Sequence, residues 1–136
     1  KEKLNEIKEE SNIQILGHVE DIKSLYNNID IVVLPSWREG LSRSLIEAGS
    51  MERPIITTDV PGCNDIVTHG KNGLLVPVKD HSSLFFAIKL LLECPELALK
   101  FGTRIRSKIK EEFEVSKVNK STINLYKKLI SDFSNN

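Results

Sequence analysis

The chain reads as an α/β domain with a Rossmann-like parallel sheet and crossover helices. Two observations point there. Short apolar runs at Ile13 to Leu16, Ile31 to Leu34, Ile55 to Thr58 and Leu74 to Val76 alternate with stretches of helical periodicity, the pattern of parallel strands joined by helices. The second run is stopped by Pro35, passes through a polar loop and leads into Leu41, Leu45, Ile46, Gly49 and Met51 at helical spacing. A helix N-terminus beside the end of a buried strand is where open α/β sheets hold anionic ligands.

Each element has a local reason. Lys1 to Glu10 is polar with Leu4 and Ile7 on one side, as expected of a cut helix, and the chain is expected to be part of something longer. Ile22, Leu25, Tyr26 and Ile29 stand at i, i+3, i+4 and i+7 behind Asp21, which predicts a crossover helix with an aspartate N-cap. The four residues Ile31 to Leu34 predict a strand buried on both faces. Gly62, Gly70 and Gly73 mark turns, and Asn72-Gly73 is a tight-turn pair. Beyond Pro77, Asp80 to Leu92 places Leu84, Phe85, Ile88, Leu91 and Leu92 on one helix face until Pro95 ends it. Phe101, Ile105, Ile109 and Phe113 make a further face. Ile123, Tyr126, Ile130 and Phe133 predict an amphipathic C-terminal helix.

Composition removes several function classes. The 136 residues allow one domain with a real core. Nineteen basic and nineteen acidic residues cancel, so neither nucleic acid nor a basic membrane-binding surface is indicated. Two cysteines, Cys63 and Cys94, are too few for a disulfide framework and read as reduced thiols of a cytoplasmic protein. No run approaches the roughly 18 apolar residues of a membrane span, and no signal-peptide run opens the chain. No set of His, Asp and Glu has metal-ligand spacing, and there is neither a nucleophile elbow nor a glycine-rich phosphate loop.

Glu39 and Glu47 frame the loop-to-helix junction. Eight residues of helix would separate them by roughly 12 Å along the axis, too far to flank one glycosidic bond, where paired carboxylates lie about 5 to 9.5 Å apart. The spacing suits two parts of one extended ligand, with the N–H groups of Leu41 to Ser44 facing the charge between. A nucleotide sugar has that layout. Two glutamates on a solvated helix face satisfy the same spacing.

The run Glu39-Gly40-Leu41-Ser42-Arg43-Ser44-Leu45-Ile46-Glu47-Ala48 resembles the paired-glutamate motif of retaining glycosyltransferases of family 4, which share the two-domain GT-B architecture. Further family-like pieces stand in order around it: Leu16-Gly17-His18-Val19, Arg53 to Gly62, Asp65-Ile66-Val67 and Gly70-Lys71-Asn72-Gly73-Leu74-Leu75-Val76-Pro77. The resemblance implies that residues 1–136 are a donor-binding domain, with the acceptor domain absent and no counterpart of the family's glycine-arginine-lysine loop before Asn12. It implies a UDP-sugar donor, a glycan or lipid-linked acceptor reached through the missing domain, no metal and no cofactor. Bacterial surface-polysaccharide or lipid-linked oligosaccharide synthesis is the implied setting, in the cytoplasm or at the inner face of the membrane.

By the same resemblance, Glu39 is the catalytic-site carboxylate that meets hydroxyls of the transferred sugar, and Glu47 accepts the ribose hydroxyls. Gly40, Leu41, Ser42, Arg43 and Ser44 surround the diphosphate, while His18 and Val19 hold the base through backbone groups. Leu41-Ser42 departs from the aromatic-glycine pair frequent in the family, and Asp65 stands where glutamate is usual. Trp37 could wall the donor pocket. A nucleotide-sugar epimerase of the same architecture and a receiver-like α/β domain are the alternative readings.

In the family's strand order 3-2-1-4-5-6, the four runs correspond to the third through sixth strands. Ile13 to Leu16 and Ile31 to Leu34 would then have open edges. Either self-association or direct pairing of these two strands is the expected consequence.

Overall fold

The computed structural model describes residues 12–134. The elements in order are α1 (Ile22–Asn27), β1 (Val32–Leu34), α2 (Arg43–Ser50), β2 (Ile55–Thr58), β3 (Leu74–Val76), α3 (His81–Glu93), α4 (Pro95–Glu112) and α5 (Val115–Ser134). The strands form a parallel sheet in the order β1-β2-β3. Val32 pairs with Ile55, and Ile56 with Leu74.

Side-chain alternation along β2 divides the core into two layers. Ile55 packs with Leu45, Ala48, Ile66, Val67, Ile105 and Ile109 on one face. Ile56 packs with Leu74, Val76, Ala87, Leu91 and Phe101 on the other. All four residues of β2 are buried, as befits a central strand covered by helices on both sides. Helix α4 serves both layers and seats closely under the end of α2. A Cβ on Gly102 would come within 3.0 Å of the Glu52 carbonyl carbon.

The expected helix starts are present. Asp21 caps α1 by accepting from the Ser24 N–H at 2.9 Å. Asp80 caps α3 with both carboxylate oxygens, accepting from the Ser83 N–H at 2.9 Å and from its hydroxyl at 2.6 Å. Pro95, expected to end α3, also opens α4 at its first turn, where its missing N–H has no helical partner to lose.

Four expectations need correction. Ile13 to Leu16 is not a strand, and Ile13, Ile15 and Leu16 are 43 to 55 % exposed. A strand exists through its ladder, and among the described residues none runs beside this segment. Its direct pairing with Ile31 to Leu34 therefore does not form. β1 begins at Val32 rather than Ile31 and is not buried on both faces: Val33 is exposed, and among the described residues β1 pairs with β2 on one side only. Leu41 lies outside α2 and is exposed. The buried face of α3 centres on Ala87 and Leu91, leaving Phe85 and Leu92 outside. The expected helix at Lys1 to Glu10 lies outside the described residues.

Candidate functional site

The loop between β1 and α2 is held in place by hydroxyls at the end of β2. The Thr57 hydroxyl donates to the Leu34 carbonyl at 2.8 Å, and the Thr58 hydroxyl donates to the Ser36 carbonyl. Ser36 in turn donates its hydroxyl to Glu39 Oε1 at 2.6 Å, a charge-assisted bond that orients the carboxylate. From the opposite side, the turn at Gly62 presses on the Glu39-Gly40 peptide. A Cβ there would lie 2.6 Å from the Gly40 carbonyl carbon and 2.8 Å from the Glu39 carbonyl oxygen.

Helix α2 opens directly after this loop. Ser42, its buried N-cap residue, makes no side-chain capping bond. The first helical backbone bond runs from the Ile46 N–H to the Ser42 carbonyl at 3.2 Å. Among the described residues, the N–H groups of Arg43, Ser44 and Leu45 have no partner. They form a patch of free donors at the positive end of the helix dipole, suited to an anion. Arg43 stands exposed at the first helical position, and among the described residues no carboxylate is paired to it.

Glu47 is half-buried inside α2. Tyr26 of α1 packs beside it, donating its hydroxyl to the Ser44 carbonyl at 3.2 Å. Burial pushes the Tyr26 phenol up, and the negative charge of Glu47 pushes it further. Cys63 is completely buried beneath the loop. Burial raises its thiol, the hydrogen bond with Thr57 lowers it, and the Glu39 carboxylate raises it again. The underside of Glu39 is therefore a neutral thiol rather than a second charge.

The structure thus brings Glu39, Gly40, Leu41, Ser42, Arg43 and Ser44 together around one helix start, with Glu47 farther along it. His18 and Val19 precede the loop in sequence: His18 is exposed, Val19 half-buried, and among the described residues no hydrogen bond ties either to the loop. Asp65 accepts from the Gly62 N–H at 3.0 Å, so its carboxylate braces the turn. His69 is exposed and its Nδ1 lies about 3 Å from both backbone groups of Leu75. Ser36, Thr57, Thr58, Gly62 and Tyr26 were not among the expected site residues. The one signal available was Thr57-Thr58 closing an apolar strand, which puts two hydroxyls at the ligand-facing end of the sheet. Among the described residues, no group of three or more His, Cys, Asp or Glu could hold a metal ion, and no helix is long and apolar enough to cross a membrane.

The family model described as glycosyl transferases group 1 matches residues 1–94. The capsular polysaccharide biosynthesis glycosyltransferase CapM of Staphylococcus aureus is 34 % identical over 102 residues, covering 75 % of this chain and 27 % of CapM. Among solved structures, the sucrose-phosphate synthase of Thermosynechococcus elongatus superposes with a TM-score of 0.88 at 26 % identity, over 96 % of this chain and 33 % of the synthase. HepE of Anabaena in complex with UDP gives 0.87 at 21 % identity, over 93 % of this chain and 35 % of HepE, a likeness of fold. The chain spans about a quarter of the length of the curated relatives it matches. These neighbours have the GT-B architecture, and with the matched family model and the CapM relationship they establish that this chain belongs to the glycosyl transferases group 1 family.

Proposed function

We propose that this domain binds the UDP-sugar donor of a retaining glycosyltransferase that builds a bacterial polysaccharide or lipid-linked glycan. The observation that carries the reading is the patch of free N–H groups at Arg43, Ser44 and Leu45, bounded by Glu39 on one side and Glu47 on the other. A diphosphate over the helix start would neutralise the dipole, Glu47 would accept the ribose hydroxyls, and Glu39, aimed by Ser36, would accept hydroxyls of the transferred sugar. Preorganised donors facing the departing diphosphate stabilise the charge that develops there. Positioning supplies much of the remaining rate. His18 and Val19 are assigned to the base, and Arg43 to a phosphate oxygen. No cofactor or metal is required.

The name of CapM places that relative in capsule synthesis, and the HepE structure carries UDP. Both support the donor class and the polysaccharide setting. The glycan or lipid-linked acceptor would be held outside this domain, so the chain by itself should transfer no sugar. The open edge of β1 favours self-association of the isolated chain.

The test uses the full-length protein with a UDP-sugar and a lipid-linked or oligosaccharide acceptor. Transfer with the donor's anomeric configuration kept, undiminished by a chelator and lost in Glu39→Gln, is expected. Inversion at the anomeric carbon, or strict dependence on a divalent ion, would contradict the proposal.

A further inference from the structure

A second hollow, of about 190 Å³, lies at the same end of the sheet. Its walls include Pro35, Trp37, Thr58, Pro77, Lys79 and His81. It adjoins the Glu39 loop, since Trp37 stands between the hydrogen-bonded Ser36 and Glu39, yet the donor assignment makes no use of it. Pockets for drug-sized ligands run from about 300 to 1,000 Å³, so this one suits a single ring.

Two features of the hollow run against stability alone. Trp37 is 64 % exposed, leaving in water an apolar surface that folding normally covers. The Lys79 ammonium sits 4.3 Å from the centre of the indole, within cation–π range. Lys79 has φ 64°, in a turn closed by the Asp80 N–H on the Pro77 carbonyl at 3.3 Å. Glycine is the usual residue at such a left-handed turn position, and a lysine there is strained. The turn brings a cation over the indole. Among the described residues no carboxylate pairs with that cation. Asp80, its neighbour, commits both oxygens to Ser83, and Glu39 is engaged by Ser36.

We propose that the Trp37–Lys79 hollow is a subsite for an anionic sugar ring, a uronate or a sugar phosphate, with the ring against the exposed indole and its acid group on the Lys79 ammonium. Aromatic surface complements the C–H face of a sugar, and the exposed Lys79 ammonium, with no carboxylate partner among the described residues, is free to supply the charge-assisted bond. The sugar class rests on the reading of the domain as part of a glycosyltransferase. Binding at the hollow does not require the donor assignment.

Trp37 is the chain's only tryptophan, so its fluorescence reports on this hollow and the Glu39 loop beside it, and the UDP titration separates the two. The chain is titrated with glucuronate, glucose 6-phosphate, glucose and inorganic phosphate, and separately with UDP by calorimetry. The expected result is a saturable fluorescence change with at least one anionic sugar, at concentrations about tenfold or more below those needed for glucose or phosphate. Lys79→Gln should erase that advantage and Lys79→Arg should keep it. Lys79→Gly should raise the melting temperature by relieving the turn, yet lose the response as Lys79→Gln does. UDP affinity should stay the same in all three variants. The proposal is overturned by no saturable response to either anionic sugar, by an equal response to glucose or inorganic phosphate, or by full binding in Lys79→Gln. A fall in UDP affinity in the lysine variants would also overturn it, by moving Lys79 into the donor site. Absence of UDP binding with the sugar response intact would refute only the donor assignment.

Discussion

Replacing Gly62 by alanine should destabilise the domain and loosen Glu39 at once. Gly62 adopts φ 84°, and a Cβ in the left-handed region costs about 1 to 2 kcal/mol. The added carbon would also lie 2.6 Å from the Gly40 carbonyl carbon and 2.8 Å from the Glu39 carbonyl oxygen, and closer still to the Gly40 oxygen. Every one of these atoms is backbone, so no side chain can rotate away, and forced shifts of this kind cost about 1 to 3 kcal/mol. The sum is about 2 to 5 kcal/mol. At roughly 3 to 5 °C per kcal/mol for a chain of this size, the melting temperature should fall by about 6 to 25 °C. Gly40→Ala is the control, since nothing lies within 4 Å of a Cβ there. Thermal melts by circular dichroism compare the two. A Gly62→Ala melt within about 2 °C of the parent would refute the claimed contact between the turn and the Glu39-Gly40 peptide.

Ser36→Ala removes the bond that aims Glu39; UDP-sugar affinity should fall by about 1.5 to 3 kcal/mol while UDP affinity is unchanged, as calorimetry with both ligands would report. Thiol labelling of the native chain should modify exposed Cys94 quickly and buried Cys63 only on unfolding. Because the Cys63 thiol is raised above its ordinary 9.0, its contribution to stability is complete below that pH and is lost as pH climbs through the raised value. Denaturant midpoints should therefore drop in alkali, and a flat profile would contradict the burial of an uncharged thiol. Asp80 behaves in the opposite sense. Its carboxyl is held below the usual range by Ser83, so the cap's contribution is complete above the ordinary carboxylate pKa and lost as pH falls through the lowered one. Melts of the parent should show this acid loss and melts of Asp80→Ala should not. Sedimentation at rising concentration should show self-association through the β1 edge; a monomer throughout would refute it.

How much of this could be read from residues alone depends on where each constraint lies. The strands Ile55 to Thr58 and Leu74 to Val76 and the caps Asp21 and Asp80 follow from local composition and match what is observed, and Asp80 to Leu92 lies one residue from the observed His81–Glu93; the faces of the last two helices marked their presence but not their bounds, since α4 stops before Phe113 and α5 starts at Val115. Ile13 to Leu16 failed because a β-branched apolar run specifies a strand only if a neighbour accepts its ladder. The exposure of Val33 and of Phe85 had the same origin, since period-2 and period-3.6 patterns say which residues are apolar and not what covers them. In the site, Glu39 and Glu47 were legible as a spaced pair. Their positioning was not. The threonine contacts across from β2 and the closeness of Gly62 to Gly40 join residues about 20 apart in the chain, and no local pattern encodes them; the Ser36–Glu39 bond spans three residues, but the loop shape that closes it depends on those distant contacts. Asp65 shows the same limit: its place in the motif did not reveal that its carboxylate accepts from the Gly62 N–H.

The donor assignment is tested most directly by calorimetric titration of UDP into the parent chain, Glu47→Ala and Glu39→Ala. With Glu47 on the ribose and Glu39 on the transferred sugar, the parent should bind UDP weakly, Glu47→Ala should lose about 1.5 to 3 kcal/mol, and Glu39→Ala should match the parent. Equal UDP affinity in the two variants, or a greater loss in Glu39→Ala, would contradict it.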